Sequence, residues 1–143
     1  MTATENMTKA LLAAIVLVTL SGCSSKPSKP IKASLSEQKM CAEQATKFFE
    51  EHGAPGQSYT NHYASGVCYV EIAYHDFRPP VNTRTSSIYD AFEGQDVADF
   101  FETFNENEST RRVSTCKVGK TACTSEEEYD RLVMQTFGME SAL

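Results

Sequence analysis

A hydrophobic run long enough to cross a membrane is missing from this sequence. The longest apolar segment covers residues 10–20, and Thr19 is its only polar member. A transmembrane helix needs roughly 20 apolar residues, so this segment predicts no membrane-spanning helix. Its length and its place near the N-terminus are typical of the apolar core of a secretory signal.

Basic residues are scarce beyond the N-terminal region. From Leu35 onward the chain has nine Lys or Arg residues and eighteen Asp or Glu residues, which gives a net charge of −9. A nucleic-acid-binding domain needs a basic patch that meets the phosphate backbone. We therefore expect no nucleic-acid partner.

Motifs for nucleophilic catalysis and phosphate binding are also missing. No serine lies in a Gly-x-Ser-x-Gly nucleophile elbow. The segment Gly119-Lys120-Thr121 lacks the upstream glycine of a P-loop, because Ser114 stands at that position. These absences predict no catalytic residue and no nucleotide cofactor.

Metal-binding and acid–base patterns are weak. His62, His75 and Asp76 lie on or beside two neighbouring predicted strands, but no third ligand or pocket is evident. The acidic residues between them and the C-terminal helix lack EF-hand spacing: Asp90, Glu93, Asp96, Asp99 and Glu102. We expect no metal site and interpret these carboxylates as a solvated face.

A four-residue segment ends the apolar run: Leu20-Ser21-Gly22-Cys23. A branched apolar residue, two small residues and a cysteine at this place resemble the lipobox of bacterial lipoprotein precursors. The resemblance implies that residues 1–22 are a signal peptide, cleaved before Cys23. It also implies that Cys23 is the lipidation site, whose acyl chains anchor the mature protein in the bilayer.

The segment that follows predicts a tether. Residues 24–34 contain three lysines, two prolines and four serines, a composition that favours an extended or flexible chain. We therefore divide the mature protein into a lipidated tether, residues 23–34, and one domain, residues 35–143. Ser24 takes the place where inner-membrane lipoproteins often carry Asp, so the resemblance implies an outer-membrane anchor facing the periplasm.

Four cysteines remain in the domain: Cys41, Cys68, Cys116 and Cys123. An even number in a small exported domain predicts disulfides, and their spacings are too wide for a typical zinc site. Gly119-Lys120 suits a two-residue hairpin turn, which would place Cys116 opposite Cys123. Cys41 is then left to pair with Cys68.

The predicted fold is α+β, with an N-terminal helix, an antiparallel meander sheet of five or six short strands, and a C-terminal helix. A capping box at Ser34 predicts a first helix over residues 35–52, and Thr124 or Ser125 begins the last helix. Period-two alternation predicts strands over 59–63, 67–75 and 85–92, and residues 113–123 are predicted to form the cysteine hairpin. Residues 96–104 satisfy both strand and helix spacing and stay ambiguous.

Tyrosines suggest a binding surface. Tyr69 lies on the sheet face opposite Cys68, together with Glu71 and His75, and exposed tyrosines often contribute to binding. The alternative is that the second helix covers this face. Both interpretations stay open at this stage.

These observations predict a membrane-anchored envelope lipoprotein with a non-catalytic binding or assembly-accessory domain and a protein partner in the envelope. Two alternatives are a small periplasmic hydrolase and an inhibitor of an exogenous enzyme such as lysozyme. The acidic charge of the domain would suit a basic enzyme of that kind.

Overall fold

Residues 33–105, 107 and 109–143 are described by a computed structural model. The predicted signal peptide, the lipidation site at Cys23 and the tether up to residue 32 lie outside the described residues. Two helices and six strands follow one another in the order α1 (Leu35–His52), β1 (Ser58–Ala64), β2 (Val67–Arg78), β3 (Val81–Asp90), β4 (Asp96–Phe104), β5 (Arg111–Val118), β6 (Thr121–Ala122) and α2 (Glu126–Phe137). The predicted α+β fold is confirmed.

The six strands form one antiparallel sheet in sequence order, which is the predicted meander. Two strands are longer than predicted, because β2 continues to Arg78 and β3 already begins at Val81. Pro79 and Pro80 connect them as a two-residue turn, with Arg78 paired to Val81. Proline cannot donate a main-chain hydrogen bond to a strand ladder, but a two-residue turn between strands does not need this hydrogen bond.

Residues 96–104, the ambiguous segment, form the strand β4. Helical spacing also fits Val97, Phe100, Phe101 and Phe104, so the local pattern alone cannot decide. The strand is favoured because β3 and β5 pair with it on both sides. In this conformation Phe100 and Phe104 are buried on one face, together with Ala98 and Glu102.

The two helices cover opposite faces of the sheet. Paired residues on adjacent strands share a face, and successive residues alternate between faces. We call the side of Cys68, Val70 and Ile72 the helix-1 face, since these residues are buried against α1. The other side, the helix-2 face, buries Ile88 and Phe100 against α2, where they meet Tyr129, Val133 and Phe137.

Both helices begin at the predicted caps. At α1 the Ser34 hydroxyl accepts a hydrogen bond from the Glu37 amide, and the Glu37 carboxylate accepts one from the Ser34 amide. At α2 the Ser125 hydroxyl accepts from the Glu128 amide, and Gly138 ends the helix in the left-handed conformation. Among the described residues, no helix combines the length and apolar composition needed to cross a bilayer.

The predicted disulfides are both present. Cys41 of α1 bonds to Cys68 of β2, and both are fully buried. Cys116 bonds to Cys123 across the β5–β6 turn, where Lys117 pairs with Ala122 as the predicted register requires. One disulfide therefore fixes α1 to the sheet, and the other closes the last hairpin.

Candidate binding face of the sheet

The surface predicted around Tyr69 needs correction. Tyr69 is partly buried, with its ring centroid 4.8 Å from that of Phe137 in α2. Glu71 has no exposed surface, and only His75 is exposed. The three residues do lie on one face, but α2 and the chain after it cover the first two, so they do not form one exposed binding surface.

Glu71 instead holds the C-terminal segment against the sheet. Its carboxylate accepts hydrogen bonds from the Ala142 amide at 2.9 Å, the Ser141 hydroxyl at 3.0 Å and the Ser86 hydroxyl at 2.6 Å. Ser86 Oγ also lies 3.0 Å from the Tyr129 hydroxyl. Burial raises the pKa of Tyr129, so its phenol stays neutral and donates to Ser86. A buried carboxylate with this many donors is a structural centre of the fold.

A second charge cluster surrounds the buried carboxylate of Glu102. Its carboxylate lies 3.7 Å from Arg84 and 3.3 Å from Arg111, and both arginines also bind Glu126 at the start of α2. The Arg84 and Arg111 guanidinium groups stack over the Phe104 ring at 5.1 and 5.8 Å from its centroid. This cluster fixes the first turn of α2 to β3, β4 and β5.

His62 and His75 are far apart. His62 pairs with Tyr69 in β1–β2, whereas His75 lies six residues further along β2, a distance of roughly 20 Å at strand spacing. Within residues 33–105, 107 and 109–143, no three His, Cys, Asp or Glu side chains are arranged to hold a metal ion. The histidines and carboxylates considered in the sequence are therefore not brought together into one site.

Among the residues that the structure describes, no helix lies over part of the helix-1 face. α1 packs on β1 and β2, and its reach ends at Tyr89 of β3, whose ring contacts Phe48. Beyond this contact the pairings align a set of side chains across β2–β5 that we call the open face: Tyr74, Asp76, Thr83, Thr85, Ser87, Asp99, Phe101, Thr103, Arg112, Thr115 and Lys117. All of them are half-buried or exposed.

The centre of the open face is uncharged. Tyr74, Thr85, Phe101 and Thr115 lie side by side in one row across the four strands. Such a row offers hydroxyl donors and acceptors between two aromatic rings, a combination suited to a partner with mixed polar and apolar groups.

Charged groups lie at both ends of this face: Asp76 and Arg112 are in the row nearest the β2–β3 turn, and Asp99 and Lys117 form a cluster at the far end. Lys117 Nζ is 3.0 Å from Asp99 and 2.8 Å from Asp96, and the Ser87 hydroxyl donates to Asp99. Partial burial, and then the hydrogen bond with Asp99, raise the pKa of Asp96. Burial alone would raise the pKa of Asp99, but hydrogen bonds from Asp96, Lys117 and Ser87 outweigh it and lower that pKa. The cluster therefore favours a proton on Asp96 over one on Asp99.

The other end of the face leads to an apolar hairpin tip. Phe77 and Val81 are 64% and 54% exposed on either side of Pro79-Pro80. A shallow groove of about 310 Å³ separates these prolines from Asn105 and Asn107. Val81 lies on the side of the open face, whereas Phe77 lies on the helix-2 face, where its ring centroid is 6.3 Å from that of Phe104.

The sequence contained one signal for this face. Thr83, Thr85 and Ser87 alternate with Asn82, Arg84 and Ser86, so β3 is polar on both sides for most of its length. Such a strand is a weak candidate for full cover by helices. Tyr74 lies on the same face as Cys68, as the alternation along β2 requires, but it lies beyond the reach of α1.

Comparison with known proteins finds no match: no family model, no curated protein and no solved structure resembles this chain. The surface itself is therefore the basis for a functional proposal.

Proposed function

We propose that this protein is a membrane-anchored envelope lipoprotein whose domain binds a partner through the open face, without catalysis. The observation that carries the proposal is the uncovered half of the helix-1 face. There Tyr74 and Phe101 stay half-buried among threonines that neither helix covers. Partly exposed aromatic rings on a surface of this extent are typical of a site of interaction with another molecule.

The anchor is supported by the sequence and by the oxidised cysteines. Disulfides persist mainly in exported proteins, and both predicted pairs are formed. The lipobox ending at Cys23 then supplies the attachment. Because a single acyl chain binds only marginally, we expect Cys23 to carry several.

The place of the tether suits a partner away from the bilayer. α1 begins beside Tyr63, whose hydroxyl donates to Glu37, at the end of the sheet where β1 turns into β2. The apolar tip lies at the opposite end of β2, about 33 Å from Cys68 at strand spacing. We infer that the tether holds the near end and that the far part of the open face is directed towards the partner.

Site-specific photo-crosslinking tests where the partner binds. A photoreactive amino acid at Thr85, in the centre of the open face, should give a covalent adduct in living cells. The same amino acid at Gln135, an exposed residue of α2, is the matched control and should give none. Adducts of equal yield from both positions, or none from Thr85, would contradict the proposal.

A charge substitution gives an independent test. Once crosslinking has identified the partner, Thr85→Arg should abolish co-purification of that partner with the protein. The arginine would place a charge in the uncharged row of the open face. Gln135→Arg adds the same charge elsewhere and should leave recovery unchanged. Both variants should keep their disulfides and their thermal unfolding midpoint, since surface substitutions usually change stability by less than about 0.5 kcal/mol.

Metabolic labelling tests the anchor separately. With radioactive palmitate, the protein should be labelled and fractionate with the outer membrane, whereas Cys23→Ser should remain an unlabelled, unprocessed precursor. Labelling that persists in Cys23→Ser would contradict the assignment of the lipidation site.

A further inference from the structure

We propose that β1 is a docking edge at which a second copy of this domain adds its own β1 in antiparallel orientation. The two sheets would then become one continuous sheet. In the described chain β1 pairs with β2 alone and begins the sheet order. The outward main-chain N–H and C=O groups of β1 have no hydrogen-bond partner within the residues described.

The two edges of the sheet differ in how they are protected. Natural proteins block edge strands with charged residues, prolines, bulges or very short strands. The β5–β6 edge has Arg111 and Arg112, a register shift at Phe101/Glu102 and a final strand of two residues. By contrast, β1 pairs through seven successive residues with no shift, and its sequence Ser-Tyr-Thr-Asn-His-Tyr-Ala has no proline, lysine, arginine or carboxylate.

Charge favours association at this place. The domain has a net charge of −9 from Leu35 onward, so two copies repel each other wherever their carboxylates meet. Residues 58–64 contain no carboxylate, and the Glu37 carboxylate of α1 beside them accepts a hydrogen bond from the Tyr63 hydroxyl. The β1 strands of two copies can thus pair without a carboxylate of either strand in the contact.

The position of α1 fits such a pair. Its side chains bond to Tyr59 and Tyr63 of β1 and to Cys68 of β2, which places its axis over the gap between these strands. In the joined sheet the two α1 helices would lie two strand spacings apart, about 9.6 Å. Packed helices are separated by roughly 8–10 Å when small residues meet, so Ala42 and Thr46 would meet their counterparts.

A two-fold axis through Asn61 pairs all seven residues of both strands. It sets Thr60 opposite His62 of the second copy, on the helix-2 face. A groove of about 360 Å³ opens beside this strand between Gln38, Asn61, His62 and Tyr63, which leaves room for side chains of the incoming strand. The axis is perpendicular to the sheet, so both α1 helices lie on the same face of the joined sheet.

Sedimentation of the full-length processed protein in detergent tests the proposal. The unsubstituted protein should form a dimer whose fraction rises with protein concentration. The double variant Thr60→Lys/His62→Lys places like charges directly opposite each other across the axis, which is destabilising in a strand pair. Its dimer dissociation constant should rise at least about tenfold, which corresponds to about 1.4 kcal/mol.

Thr121→Lys is the matched control, because Thr121 is an exposed threonine of β6, the strand at the opposite edge of the sheet. It should dimerise like the unsubstituted protein. A monomer at all concentrations, dimers of unchanged affinity in the double variant, or equal weakening in the control would each overturn the proposal.

Crosslinking in cells tests the proposal even if the double variant does not fold. A photoreactive amino acid at Thr60 of otherwise unsubstituted protein should give an adduct of twice the monomer mass that contains only this chain. An adduct with a different chain would show that β1 docks another protein and would overturn the choice of occupant. Neither result bears on the open face, so this proposal and the proposed function can fail separately.

Discussion

Removal of each disulfide as a pair of alanines tests how the domain is stabilised. Cys41→Ala/Cys68→Ala opens the bond between α1 and β2, and Cys116→Ala/Cys123→Ala opens the bond across the β5–β6 hairpin. Substituting both partners avoids a leftover thiol that could form wrong pairs. We expect the first pair to lower the free energy of unfolding more than the second.

The magnitude follows from the length of chain that each bond closes. With sequence separations of 27 and 7 residues, loop-closure entropy gives about 3.6 and about 2.4 kcal/mol at room temperature. The difference is therefore about 1.2 kcal/mol. Burial increases this difference in the free energy of unfolding. Cys41 and Cys68 are fully enclosed between α1 and the sheet, and alanines there leave a cavity.

Urea titration followed by far-ultraviolet circular dichroism measures both losses. The comparison is made on free energies extrapolated to water, with the slope m of each variant fitted independently. Equal losses, or a larger loss for the hairpin pair, would refute the reasoning. That result would mean that the first disulfide does not restrain the unfolded chain as its loop length requires.

Three further substitutions test local features of the fold. Ser34→Ala should lower the free energy of unfolding by about 1 kcal/mol, because the α1 cap is lost; thermal unfolding measures this loss, and an unchanged midpoint would contradict the cap. Glu71→Ala should cost about 3 kcal/mol, since buried donors lose a charged acceptor, and should speed amide exchange at Ala142; Glu93→Ala in the exposed β3–β4 turn is the control and should change neither. Asp130→Asn should stabilise the protein at neutral pH, because burial and the charge of Glu126 raise the pKa of Asp130. The ionised form is then disfavoured in the folded state, so the wild type loses stability as the pH rises through that pKa. The advantage of Asp130→Asn should therefore disappear below the ordinary pKa of 3.8, and an advantage that persists in acid would contradict this explanation.

Local signals predicted the helices and the disulfides well. Ser34 with Glu37, and Gly138, are chemical signals that act within one turn of the chain, and the helices begin and end where those signals stand. The Gly119-Lys120 turn fixed the register of its hairpin, and this register brought Cys116 to Cys123. Such features depend on neighbours in sequence, which is why they can be predicted without the fold.

The candidate sites depended on contacts between distant segments. The alternation of its strand left open whether Glu71 is exposed or covered by the second helix, and only the structure shows that Ala142, 71 residues away, donates to its carboxylate. In the sequence Glu102 is one of five carboxylates with no evident partner. In the structure it lies beside Arg84 and Arg111 on the helix-2 face. Nothing in the local pattern distinguishes such a residue from a solvated one.

The sequence by itself determined the net acidity of the domain, the pairing of its cysteines and the type of nearly every element, because caps, turns and period-two alternation act over a few residues. Only the tertiary structure decided which parts of the sheet each helix covers. That choice placed α1 over β1 and β2 and α2 on the opposite face, because each helix must bury its own apolar stripe and neither is wide enough to cover six strands. The uncovered part, centred on Thr85 and Phe101, is a consequence of where the helices pack.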